Sequence, residues 1–117
     1  MKTSTTKSAI VTGASRGIGS AIAERLAHDG FSVVVNYSGS EGEASALAKK
    51  INTNGMRAIT VQADVSKAAD IARLFDAAEK EFGGIDVLVN NAGIRIAAMR
   101  IVTVRATDTN RAFICFL

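Results

Sequence analysis

Four short apolar runs, rich in β-branched residues, recur about every 25 residues in the first 93 positions, each bounded by turn residues. They occupy residues 8–12, 31–35, 58–62 and 85–89. Their apolar side chains do not alternate with polar ones, as expected for strands covered on both faces. The segments between them change to a helical period. Ile18, Ile22 and Leu26 fall four apart, and Gly30 follows as a helix-ending residue. Ala44, Leu47, Ala48 and Ile51 keep the i, i+3, i+4, i+7 spacing, with Ser40 and Glu43 placed for a capping box and Gly55 closing the element. Ile71, Leu74, Phe75, Ala78 and Phe82 form a third stripe, with Ser66 as the expected N-cap and Gly83 beyond its end. Short strands joined by helical crossovers specify an α/β fold, a doubly wound parallel sheet with helices on both faces.

A chain of 117 residues with 48 % hydrophobic content has room for one core. One cysteine, Cys115, and one histidine, His28, exclude an internal disulfide and a cysteine- or histidine-rich metal site. No run approaches the eighteen or so apolar residues of a membrane span. The polar opening, with Lys2 and Lys7, lacks the apolar stretch of a secretory leader. The expectation is a cytoplasmic protein with neither a membrane nor a metal as partner. The net charge of +3 is uneven: acids and bases balance over residues 1–93, whereas Arg95, Arg100, Arg105 and Arg111 face only Asp108 in residues 94–117. Aromatics at 5 % and arginines scattered along the tail argue against nucleic-acid binding.

The chemistry gathers where strands end. Thr12-Gly-Ala-Ser-Arg-Gly-Ile-Gly19 joins the first strand to the first helix. Gly13 permits a tight turn, Gly17 allows close approach of a pyrophosphate, and Gly19 lets the helix pack closely. The helix N-terminus then offers free N–H groups and positive potential to phosphates. In a parallel sheet, residues 13–19, 36–40, 64–65 and 90–93 all emerge at the carboxyl edge, where open α/β sheets bind ligands.

Thr12-Gly-x-x-x-Gly-x-Gly19, Asp64-Val65 and Asn90-Asn-Ala-Gly93, in that order and spacing, resemble the N-terminal half of the short-chain dehydrogenases/reductases. The likeness covers roughly residues 7–93. It is strongest to classical members such as the 3-oxoacyl-(acyl-carrier-protein) reductases. The resemblance implies a Rossmann-like sheet, here truncated after about four strands, and a dinucleotide cofactor. It implies that Gly13, Gly17 and Gly19 bind the pyrophosphate and that Asp64 accepts from the adenine amino group, with Val65 beside it. Asn90, Ala92 and Gly93 would line the nicotinamide-ribose side. Ser15, Arg16 and Ile18 in the turn, and Asn36, Tyr37 and Ser38 after the second strand, complete the cofactor-binding candidates.

Charge favours NADP(H) over NAD(H). Folds that prefer NAD place an acid at the end of the second strand to bind the ribose 2′-OH. Residues 36–40 read Asn-Tyr-Ser-Gly-Ser and contain none, while Arg16 precedes Gly17. A 2′-phosphate favours arginine and uncharged hydrogen bonders such as Ser38.

The family's reaction needs a Tyr followed four residues later by a Lys, whose charge lowers the phenol pKa from about 10 towards neutral. The only tyrosine is Tyr37, and four residues on stands Glu41. Asn110 is the one candidate for the asparagine of the family's next helix. The expected organisation is a βαβαβαβ segment over residues 1–93 and an atypical tail over 94–117. The tail reads either as the product of a frame change or internal deletion or as a divergent form of that helix. The leading expectation is the cofactor-binding half of an NADP(H)-dependent oxidoreductase. The alternative is a non-catalytic nucleotide-binding or interaction module. Self-association is expected at an uncovered fourth strand or through the apolar tail.

Overall fold

The computed structural model describes residues 7–91 and the backbone of the strand Phe113–Phe116. In chain order the elements are β1 (Ser8–Val11), α1 (Gly17–His28), β2 (Ser32–Tyr37), α2 (Glu41–Thr53), β3 (Ala58–Gln62), α3 (Ala68–Phe82), β4 (Val87–Asn90) and β5 (Phe113–Phe116). They form a parallel sheet ordered β3-β2-β1-β4-β5. The four expected strands and three expected helices are all present. β2 runs on to Tyr37 because Asn36 and Tyr37 pair with Val61 and Gln62 of β3. β4 begins at Val87, two residues later than the apolar run, because Asp86 is bonded to Ser8 at the lower edge of the sheet.

Strand side chains alternate between two apolar clusters. Ile10, Val34 and Leu88 meet Ile71, Leu74, Phe75 and Ala78 of α3 on one face. Val11, Val33, Val35 and Val89 meet Ala23 and Ala27 of α1 and Ala44, Leu47 and Ile51 of α2 on the other. Ile10, Ile71 and Leu74 are fully buried, each worth roughly 1.5–3 kcal/mol of transfer free energy. The two-faced burial explains why the strands read as continuous apolar runs.

Two helix starts differ from expectation. Ser40 is the N-cap of α2, but its side chain makes no cap bond, and Glu43 instead approaches Arg16. The N-cap of α3 is Lys67, not Ser66, because the Ser66 N–H and hydroxyl both donate to Asp64 Oδ1, at 3.0 and 2.6 Å. Gly83 ends α3 in the left-handed region with φ 82°.

The sheet extends one strand beyond the four expected. β5 pairs along β4 in parallel register, from Val87 with Phe113 to Asn90 with Phe116. The β4 edge expected to lie open is therefore covered, and the outer edges belong to β3 and β5. The expected boundary at Gly93, and the candidates Ala92, Gly93 and Asn110, lie outside the described residues.

Candidate functional site

The sheet order reverses at β1. The chain passes from β1 to β2 and β3 on one side, while β4 lies on the other. The crevice beside β1 is therefore a switch point, the place where such sheets bind ligands. Side-chain bonds clamp this crevice. The Thr12 hydroxyl lies 3.3 Å from the Val89 carbonyl and 3.4 Å from Asn90 Oδ1, and accepts the Asn91 N–H at 2.9 Å. Asn91 Nδ2 donates to the Gly13 carbonyl at 3.2 Å. Asn91 lies within the Asn90–Gly93 motif, and its contact is with a turn 78 residues away in the chain.

The turn after β1 uses glycine for two reasons. Gly13 and Gly17 have φ of 61° and 65°, where side chains are strained. A Cβ on Gly19 would overlap Asn91 Nδ2 and the Gly13 carbonyl, so only glycine lets α1 approach the turn. The first turn of α1 carries no acid, and its N-cap residue makes no side-chain cap bond. Its leading N–H groups and positive dipole end thus suit an anion. The space beside Gly17 is open, with no atom within 4 Å of an added Cβ.

Beside this turn lies a cleft of about 460 Å³. Its walls are Gly13, Ser15 and Arg16, then residues 36–40 at the end of β2, then residues 63–65 after β3. The expected site residues divide by what their atoms are free to do. Arg16, Ile18 and Ser38 are exposed, Ile18 at 69 %, an unusual position for a large apolar side chain. Asn36 differs. It is 2 % exposed, its Oδ1 accepts the Gly13 N–H at 3.2 Å, and its Nδ2 donates to the Val61 and Ala63 carbonyls, each at 3.2 Å. From β2 its side chain ties the turn after β1 to the end of β3, and it lines the cleft. Tyr37 packs partly against the α1–α2 cluster. Val65 is buried in the α3 cluster and lines the cleft. Asn90 is 8 % exposed and holds Thr12.

Asp64 sits at the lip. The Ser66 hydroxyl, then the Ser66 N–H, hold its carboxyl below the ordinary value of 3.8, and Lys67 adds to this. It is therefore ionised at neutral pH and can accept hydrogen bonds. Its own N–H donates to Asp70 Oδ2 at 2.8 Å. Asp70 was not singled out from the sequence; its signal there is an acid in the first turn of a helix. Among the described residues no group of three His, Cys, Asp or Glu could hold a metal, and no helix is long and apolar enough to cross a membrane.

A larger cleft, about 560 Å³, opens at the opposite edge between Phe31, Met56, Arg57 and Phe82. Arg57 is secured there, over the Phe82 ring at 4.8 Å and bonded to the Glu81 carbonyl at 3.1 Å. Its walls lack the glycine turn and helix N-terminus of the smaller cleft.

The sequence matches the family model for short chain dehydrogenases over residues 7–114, and the chain belongs to that family. An uncharacterized oxidoreductase of Methylorubrum extorquens is 53 % identical over 98 residues, which cover 83 % of this chain and 40 % of that protein. The 3-oxoacyl-[acyl-carrier-protein] reductase FabG of Staphylococcus epidermidis is 48 % identical over 88 residues, covering 75 % of this chain and 36 % of FabG. Among solved structures, a dehydrogenase/reductase from Sinorhizobium meliloti superposes with a TM-score of 0.73 at 43 % identity, over 75 % of this chain and 35 % of its own. The angucycline C-6 ketoreductase LanV with bound NADP gives 0.68 at 42 % identity, over 75 % and 37 %. The chain thus spans well under half the length of these relatives.

Proposed function

We propose that this chain binds NADP(H) along the carboxyl ends of β1, β2 and β3, as the cofactor-holding part of an oxidoreductase. The bound cofactor supplies hydride exchange with a carbonyl or alcohol carbon, and likeness to FabG suggests a 3-oxoacyl thioester as substrate class. One observation carries the cofactor reading: Arg16 borders a cleft whose β2 wall, residues 36–40, contains no acid. An arginine can bind a 2′-phosphate through two charge-assisted bonds, and no carboxylate stands in that wall to select a 2′-hydroxyl. The NADP held by LanV supports the reading.

The remaining roles are those that the family resemblance implies. The α1 N-terminus and the turn with Gly13, Ser15, Gly17, Ile18 and Gly19 would hold the pyrophosphate. Asp64 would accept from the adenine amino group, beside the Val65 backbone. Asn90, with Ala92 and Gly93, would border the nicotinamide ribose. Asn36 acts as a positioning residue that fixes the turn. Residues 1–93 carry the site, Phe113–Phe116 completes the sheet beside β4, and the working setting is the cytoplasm. The 117 residues contain no Tyr-x-x-x-Lys. A positioned proton donor typically contributes about 10²–10⁴-fold, so this chain binds cofactor without reducing ketones.

Titrating NADPH while following its fluorescence tests the reading. Saturable binding, without NADPH consumption when a β-keto thioester is added, supports it. No binding contradicts the cofactor site, and clear turnover contradicts the binding-only reading.

A further inference from the structure

Residues 36–40 carry no acid, yet a carboxylate reaches the Arg16 side of the cleft from farther along the chain. Glu43 Oε1 lies 3.7 Å from Arg16 Nη1. Among the described residues this is the one ion pair that Arg16 makes. Glu43 stands in the first turn of α2, three residues past Ser40, where a capping box would turn its carboxylate back to the helix start. The helix start carries no such side-chain bond, and the carboxylate goes to Arg16 instead.

We infer that Glu43 moderates cofactor specificity by competing with the 2′-phosphate for Arg16. The inference rests on the dinucleotide reading of the cleft. A 2′-phosphate must draw Arg16 away from Glu43, and it brings negative charge towards a carboxylate. A 2′-hydroxyl meets neither cost. Glu43 therefore weakens the phosphorylated dinucleotide selectively, and the Arg16–Glu43 pair, not Arg16 alone, determines the preference. The pair is open to solvent, with side chains 74 % and 53 % exposed. Exposed pairs are weak and screened by salt, so Glu43 moderates the preference without reversing it. Glu41 provides the control. It shares the first turn of α2 and makes no ion pair among the described residues.

Calorimetric titration of the full 117-residue chain with NADP+ and NAD+ separates the possibilities. Glu43→Gln should tighten NADP+ about two- to fivefold and change NAD+ less than about twofold. Glu41→Gln should leave the NADP+/NAD+ ratio within about twofold of the parent. In an Arg16→Gln background the gain from Glu43→Gln should fall below about twofold, since the competition has been removed. A parent that binds NADP+ normally while Glu43→Gln changes nothing overturns this inference alone. So does an equal gain from Glu41→Gln, or the same gain with and without Arg16. A parent that binds neither dinucleotide overturns the cofactor reading, and this inference with it.

Discussion

Two arginines border the two clefts, and they are held very differently. Arg57, at the amino edge of the sheet, lies over the Phe82 ring at 4.8 Å, donates to the Glu81 carbonyl at 3.1 Å and sits 3.8 Å from the Glu81 carboxylate. Arg16, at the carboxyl edge, has a single ion-pair contact at 3.7 Å. The cleft at Arg57 is the larger, about 560 against 460 Å³. The proposed site is thus the smaller of these two clefts. An arginine committed on three sides fastens α3 to the start of β3, whereas one with a single exposed partner can transfer to an arriving anion. The glycine turn and the uncapped α1 N-terminus lie beside the second.

If the carboxyl edge is a built site, its fixed parts should be costly to change. Asn36→Ala should have the largest effect. It leaves the Gly13 N–H and the Val61 and Ala63 carbonyls without their side-chain partner, and should cost about 2–4 kcal/mol in urea unfolding. A cost below about 0.5 kcal/mol would remove the tie from the account. Gly19→Ala should destabilise by about 1–3 kcal/mol and weaken dinucleotide binding, through overlap with Asn91 and the Gly13 carbonyl. At an open helical position the same change would stabilise, so the sign of the shift decides the matter.

The arginines themselves sharpen the contrast. Arg57→Ala should lower stability by about 0.5–1.5 kcal/mol and leave NADP+ affinity unchanged. A drop in NADP+ affinity would move the site to the other edge. The smallest effect concerns Asp64. Its folded pKa is depressed, so its contribution to stability is present above the ordinary value of 3.8 and is lost as pH falls through the lower folded value. Asp64→Asn should flatten the acid limb of a stability–pH curve below about pH 4 and leave its shape near pH 7 unchanged. An unaltered acid limb would show that Ser66 does not stabilise the carboxylate.

The parts legible in sequence were those set by local repetition. Val33, Val34 and Val35 in unbroken succession marked a strand covered on both faces, and the stripe from Ile71 to Phe82 marked a helix with one buried face. Strand order then brought the Thr12–Gly19 turn and Asp64 to one edge. What was not legible depends on partners distant in the chain. The sequence offers Asn36 as a cofactor-binding candidate, and only the fold shows its bonds to Gly13 and Ala63, 23 and 27 residues away. Glu43 read as half of a local capping box, and only the folded chain shows that Arg16 takes it instead. Phe113–Phe116 lay beyond a stretch without clear period, so its pairing with β4 could not be read from spacing.

The central claim is that the carboxyl edge selects a phosphorylated dinucleotide through Arg16. The most direct measurement is the ratio of NAD+ to NADP+ dissociation constants for the parent chain and for Arg16→Ala. One or two charge-assisted bonds to the phosphate correspond to a parent ratio of about ten or more in favour of NADP+. The Arg16→Ala ratio should fall towards one, with unfolding free energy unchanged within about 0.5 kcal/mol. Equal or tighter NAD+ binding by the parent, or a preference for NADP+ that survives the loss of Arg16, would contradict the account.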